Sequence, residues 1–500
     1  MGVRQARQAL TELGVPESSV YVDGTWLRPD VPQIEVVDPF DEAVIGLVPE
    51  SGAQIAASAV AAAVHAFPEW SSLAPAARAD LVERLAEALE SVTDALAVLA
   101  SCEIGMPVRD SRGGQVALPA AVTRTYASLA RTLEWEHRDE SGTTVTLEAA
   151  GPVLAITPWN FPVHQIMAKL APALVAGCTV VLKPSELTPF NALAIAHLTH
   201  TIGFPAGVVN VVTGTGPVTG EALLQADGWE VVSFTGSLGV GRHIGAVAGE
   251  RIARATLELG GKSPAVVLPD APLEEAVAAT VRNCFVNAGQ KCNAPTRLYV
   301  PEPERERLVK VAVSAASAYV AGDPLDAETT LGPMVSAAQR ERVRGFLERA
   351  AADGATLHPA TVDLPTEGFF QTPTIVTDVS DDAEIAREEV FGPVLTVLGY
   401  TDVDEALERA NDSQYGLSAE VWAGNEAEAA AVARRLRAGQ VRVNGQRTPM
   451  PPVSPFGGFR RSGLGRELGR HGLDEYLEAR SILGDPASPS DPRTHPTQAR

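Results

Sequence analysis

The chain is short of cysteine, of positive charge and of unbroken hydrophobic runs. It has four cysteines in 500 residues, Cys102, Cys178, Cys284 and Cys292, and no CxxC pair. So few cannot form a disulfide scaffold, and the missing pair argues against a structural zinc site. Lysine and arginine total 40 against 62 acidic residues, a formal charge of −22. That excess repels phosphate backbones, so no nucleic acid partner is expected, and it gives no attraction to anionic membrane surfaces. The most apolar long stretch, 151–182, is interrupted by Pro158, Asn160, Pro162, His164 and Lys169 and is not expected to span a bilayer. The opening MGVRQARQALTELG lacks the apolar core of a secretion signal, and Ala6 stands where a myristoylation pattern needs Ser or Thr. A cytoplasmic, reducing setting is the expectation, and a free thiol persists there.

What remains is the composition of a large globular protein, 45% hydrophobic and 20% charged, too long for one typical core. VYVDGTWL alternates around Asp-Gly and reads as a strand pair. Leu81, Leu85, Leu89, Val92, Leu96 and Leu99 recur every three or four positions, predicting one long helix that ends near Gly105 and Pro107. Residues 132–149 are polar and β-prone around Ser-Gly, a hairpin arm outside the core. From 151 the short apolar strands GPVLAITP, TVVLKP, VVNVVTG and EVVSFTG alternate with alanine-rich helices, which favours a parallel sheet covered on both faces. A second β/α series, with PAVVLPD, TRLYVP, FFQTPTIV and PVLTVLGY, begins near Glu258 and places a lobe boundary at 258–262. The Pro/Ser-rich residues from Asp485 predict a disordered tail.

Cys292, in VNAGQKCNAP, follows a helix-like run and flexible Gly289. Most free cysteines are small core residues, but Gln290, Lys291 and Asn293 are poor neighbours for a core position. Five further segments carry candidate partners. In PWNFP, Asn160 is either a helix cap or an amide at the strand end where open α/β sheets bind ligands, able to donate to a developing oxyanion. In LELGGKSP, Glu258 lies between Leu257 and Leu259; either it is exposed at a strand end, or apolar company raises its pKa as a general base requires. FTGSLGVGRHIG offers backbone N–H groups to a pyrophosphate, although its glycine spacing misses the usual dinucleotide fingerprint. VVLKPSE sets Lys183 and Glu186 after a strand, where an acid accepts ribose hydroxyls and repels a 2′-phosphate. EEVFGP repeats acid, aromatic and glycine in a loop.

Together and in this order, PWNFP, KPSELTP, FTGS, LELGGKSP, GQKC, EEVFGP and PFGGFRRSGLGRELG resemble the NAD(P)-dependent aldehyde dehydrogenase superfamily, over about residues 20–483. The resemblance implies an α/β fold of two Rossmann-like parallel-sheet lobes plus a β-hairpin oligomerisation arm. The NAD-binding domain would take 1–131 and 150–257, the catalytic domain 258–445, and the arm 132–149 and 473–483, with a last strand at about 473–482 and a disordered tail at 485–500. It implies Cys292 as nucleophile, Glu258 as base, and Asn160 sharing the oxyanion with the Cys292 backbone N–H. NAD would be held by Trp159, Lys183, Glu186, Gly216, Ser237, Glu389 and Phe391, while Phe161, Gln165 and Phe456 would line a substrate tunnel. The implied partners are a small aldehyde and further copies of the chain, as homodimer or homotetramer, with no metal.

Gln165 and Ala168 stand where many relatives carry larger apolar residues, which makes the tunnel roomier or more polar. Arg447, in the proline-rich loop 445–455, would pair with a substrate carboxylate if it faced the tunnel, and is otherwise a solvated loop residue. His197 and His200 lie three apart but have no third ligand nearby in the sequence. Two other functions stay open: a CoA-acylating semialdehyde dehydrogenase, in which a water-activating Glu258 is superfluous, and a non-catalytic structural member, which needs none of Cys292, Glu258 and Asn160.

Overall fold

The computed structural model describes residues 2–445 and 451–484. The tail at 485–500 and Arg447 lie outside the described residues. Five parallel strands form the centre of the first sheet, in the spatial order Arg254–Glu258, Val231–Thr235, Val153–Ile156, Val180–Lys183, Val209–Val211. In chain order this is 5-4-1-2-3, the doubly wound pattern. Every residue of Val153–Ile156, Val180–Lys183 and Val231–Thr235 is buried, as strands covered on both faces must be. The Val20–Val22 and Thr25–Leu27 hairpin extends one edge antiparallel, and Gly463–Leu464 closes the other against Leu257 and Glu258.

The chain leaves this sheet at Glu258 and enters a second one at Ser263. Six parallel strands run in the order Thr374–Thr377, Val394–Tyr400, Pro295–Pro301, Ser263–Val267, Ser418–Trp422, Gln440–Val443, with Thr356–Pro359 antiparallel at one edge. Two α/β Rossmann-like lobes are therefore present, as expected. The arm is a three-stranded antiparallel sheet in which Thr144–Ala149 pairs with both Glu136–Arg138 and Leu477–Ile482.

Two expectations are corrected. The long helix is two helices, Pro75–Ser91 and Thr93–Ile104, separated by Val92 at φ −114°, ψ 25°. A break of one residue barely disturbs the three-to-four spacing, so the apolar stripe runs across it. The last strand begins at Leu477, because Gly469–Asp474 is a short helix. No helix among the described residues is long and apolar enough to cross a membrane.

Candidate active site

In a doubly wound sheet, ligands sit where the strand order reverses, beyond the carboxyl ends of the strands. That switch point lies between Val153–Ile156 and Val231–Thr235. Pro158, Trp159 and Asn160 follow the first strand, Gly236 and Ser237 follow the second, and all five line one cleft of about 290 Å³. The opposite wall comes from the amino-terminal edge of the second sheet. It brings Leu259 and Gly260 from before Ser263, Cys292 from before Pro295, and Glu389 and Phe391 from before Val394, with Gln339 and Arg342 from the helix Ala337–Ala352.

The loop carrying Cys292 is set by backbone geometry. Asn287, Ala288 and Gly289 have φ of 52°, 52° and 75°, three successive residues in the left-handed region. A side chain at Gly289 would meet the Gly392 carbonyl oxygen at 2.1 Å, so only glycine fits. Gln290 is fully buried, against the expectation that it is poorly suited to a core. Its amide donates to Asn287 O at 3.0 Å and accepts from Val335 N at 2.9 Å, which removes the cost of burial. Cys292 itself is half-buried and not in a disulfide. Burial, then the carboxylates of Glu389 and Glu258, push its thiol up to about 12, while Lys291 and the Asn293 N–H pull the other way.

Asn160 is not the cap of the helix Pro162–Ala176, a position held by Phe161. Its amide donates to Gln290 O at 3.0 Å, and Asn287 donates back to Asn160 O at 3.1 Å. Glu258 is 2% exposed, and neither carboxylate oxygen has a hydrogen-bond partner. Burial holds it well above the usual carboxylate range, helped by the Glu467 carboxylate and opposed by Lys169 and Arg466. The buried Lys169 ammonium contacts the Glu467 carboxylate and donates to Thr235 Oγ1 at 2.7 Å.

On the cleft wall, Trp159 and Phe391 stand edge to face with centroids 5.3 Å apart. Glu389 Oε1 accepts from Gly261 N at 3.1 Å; burial pushes its carboxyl up to about 7, against the pull of that N–H and of Lys262. Ser237 caps the helix Leu238–Arg251 by accepting from Val240 N. Lys183, Glu186 and Gly216 are not in the cleft lining. Lys183 Nζ donates to Pro184 O at 2.9 Å and lies 3.8 Å from Glu186 Oε2, while Gly216 starts a helical turn whose Gly220 packs on the Lys183 side chain.

Of the tunnel residues, Phe456 packs in the same apolar cluster as Cys292, Phe161 lies against Gly114, and Gln165 is buried with Oε1 lacking a partner. His200 Nδ1 lies 3.1 Å from Tyr21 Oη, and no group of three metal-ligating side chains occurs among the described residues. Three features escaped the sequence. Gln339 donates to Phe391 O and Arg342 to Glu389 O, both at 2.9 Å, yet on an ordinary amphipathic helix neither signals a site. The Lys169–Glu467 pair had half a signal, a lysine inside an apolar run.

This chain belongs to the aldehyde dehydrogenase family, whose profile matches residues 26–482. It is an aldehyde dehydrogenase, an oxidoreductase. It is 40% identical over 475 residues to 3-succinoylsemialdehyde-pyridine dehydrogenase of a Pseudomonas species, covering 93% of this chain and 98% of that protein. It is 38% identical over 476 residues to geranial dehydrogenase of Castellaniella defragrans, covering 94% and 99%. A cysteine-to-alanine variant of aldehyde dehydrogenase C from Pseudomonas syringae, solved with NAD+ and octanal, matches with a TM-score of 0.91 at 40% identity over 95% of this chain and 99% of that one. Betaine aldehyde dehydrogenase of Staphylococcus aureus, solved with NAD+, matches at 0.91 and 32% over 96% and 97%.

Proposed function

We propose that this aldehyde dehydrogenase oxidises an aldehyde to its carboxylic acid with NAD, by way of a covalent adduct on Cys292. The observation that carries this reading is the meeting of Cys292 and Asn160 in one cleft, with the partnerless Glu258 carboxylate close enough to raise the thiol. The cleft suits NAD. Trp159 and Phe391 give an aromatic wall, Glu389 a carboxylate for ribose hydroxyls, and Ser237 the start of a helix for the diphosphate. Lys183 and Glu186, at the end of their strand, suit the second ribose, with Gly216 beside them. Two similar structures hold NAD+, which favours the same cofactor here.

The Cys292 thiol gives its proton to water, and the resulting thiolate sulfur forms a bond to the aldehyde carbon. The oxygen gains the charge and is met by the Asn160 amide and the Cys292 backbone N–H. NAD, when bound, supplies the acceptor for the hydride that this adduct loses to become a thioester. Glu258 then takes a proton from water, the hydroxyl adds to the thioester carbon, and the carbon–sulfur bond breaks to release the acid. Burial raises the Glu258 carboxyl, which makes its carboxylate a stronger base toward that water than an exposed one.

The antiparallel arm leaves most Leu477–Ile482 side chains exposed, and we read it as the contact for further copies in a homodimer or homotetramer. The decisive experiment is NADH release across aliphatic, aromatic, amino and carboxylated aldehydes, with and without CoA. Acid formed without CoA and lost in Cys292→Ala is the expected outcome. Dependence on CoA points to the acylating enzyme, and no NADH from any aldehyde overturns the reading.

A further inference from the structure

The two oxyanion donors come from different lobes, the Asn160 amide from the first and the Cys292 backbone N–H from the second. They can serve one oxygen only if the lobes hold them at a fixed spacing. A closed set of hydrogen bonds around Asn287 spans that gap. The Asn287 amide nitrogen donates to the Asn160 backbone carbonyl at 3.1 Å and lies 3.5 Å from the Gln290 carbonyl. The same Gln290 carbonyl accepts from the Asn160 side-chain amide at 3.0 Å. Gln290 returns to Asn287 twice, since its backbone N–H and its side-chain amide both donate to Asn287 O at 3.0 Å. Asn160 is thus held by backbone and by side chain against a turn that ends two positions before Cys292.

Both groups facing the Asn287 amide nitrogen are carbonyl oxygens, which fixes the end of the side chain that meets them. The other end, Oδ1, is buried without a hydrogen-bond partner, a cost to folding. The backbone is costly as well. Ala288 takes φ 52° with no side chain that favours it. Strain of this kind persists where the surroundings over-determine it, and it gathers at working sites.

We propose that Asn287 is a positioning residue for the oxyanion donors, holding Asn160 so that the second hydrogen of its amide points, with the Cys292 N–H, at the aldehyde oxygen. The inference rests on the covalent reading of Cys292 and Asn160 given above. Asn287 touches neither aldehyde nor NAD in this scheme; it acts through Asn160. Without its donor the Asn160 peptide is free to rotate, and the amide leaves its line to the oxygen.

The test uses the full chain with NAD and hexanal as the probe aldehyde, following the NADH burst by stopped flow. Asn287→Gly keeps the left-handed backbone accessible and removes the donor. Its burst rate should fall about tenfold to a hundredfold, while the KM for NAD stays within about twofold of the wild type. In the double variant with Asn160→Ala, the rate should be no lower than in Asn160→Ala alone, because nothing is left to position. A wild-type burst rate in Asn287→Gly overturns the proposal. So does a loss that appears in the KM for NAD, and so do losses that multiply in the double variant. Should Asn287→Gly fail to fold, crystals of Cys292→Ala with NAD and hexanal decide. The aldehyde oxygen should lie within hydrogen-bond reach of Asn160 Nδ2 while Asn287 still donates to Asn160 O. An Asn160 amide that leaves Gln290 O to reach the aldehyde, or an Asn287 side chain that meets the aldehyde itself, overturns it. Absence of a burst in the wild type, or an unchanged burst in Asn160→Ala, would instead overturn the reading of Cys292 or Asn160, so the two failures are distinguishable.

Discussion

The Asn160 side-chain amide donates to the Gln290 carbonyl at 3.0 Å, joining the end of a strand in the first sheet to the loop that carries Cys292 in the second. The same nitrogen has a second hydrogen, so it can hold the loop and still donate to an oxyanion. Asn160→Ala removes both. We expect kcat to fall by about 10² to 10³, with little change in the KM for NAD, measured in steady state. An unchanged kcat would assign Asn160 to loop support alone.

Glu258→Gln separates the two halves of the reaction. The amide keeps the shape of a side chain that makes no protein hydrogen bond, so attack by Cys292 should proceed and the NADH burst should survive. Turnover should fall by about 10² to 10⁴, because water loses its base. Loss of the burst itself would show that Glu258 is needed before deacylation.

Much of this site was legible because each signal was local. Glu258 between two leucines left two readings open, an exposed strand end or a costly carboxylate in apolar company, and the structure buries it without partners. The buried strands read as short, mostly apolar runs for the same reason that parallel sheets exclude water. What could not be read depends on distant chain. Lys169 stood out among apolar residues, but its partner Glu467 lies 298 positions on. Gln290 is made tolerable in the core by the N–H of Val335, 45 positions away. The break at Val92 left no trace because both helices bury the same stripe.

Glu186 should decide between NAD and NADP. Its carboxylate lies 3.8 Å from Lys183 and is half-buried at the end of the first sheet, where it would repel a 2′-phosphate. Glu186→Ser removes that charge and frees the lysine. We expect the ratio of kcat/KM for NADP to that for NAD to rise about tenfold, equivalent to about 1.4 kcal/mol. An unchanged ratio would place cofactor choice elsewhere.

Glu103 offers a stability test independent of catalysis. It is fully buried and accepts from Phe190 N at 2.8 Å, from Asn191 N at 3.3 Å and from the Asn191 amide, closing the start of the helix Phe190–Ile202. Burial pushes its carboxyl up to about 8, although these donors pull it down. In the unfolded chain it titrates near 4.5. Between these two values the folded protein holds a proton that the unfolded chain has lost. The Glu103 contribution is therefore complete below about pH 4.5 and drains away as pH rises through about 8. Glu103→Gln cannot titrate and keeps one acceptor oxygen for the helix start. Asp38 and Glu389, pushed up to about 7, add the same slope to both proteins. The loss of Tm between about pH 5 and about pH 8, followed by circular dichroism, should thus be smaller in the variant; parallel Tm curves would mean that Glu103 is already ionised in the fold.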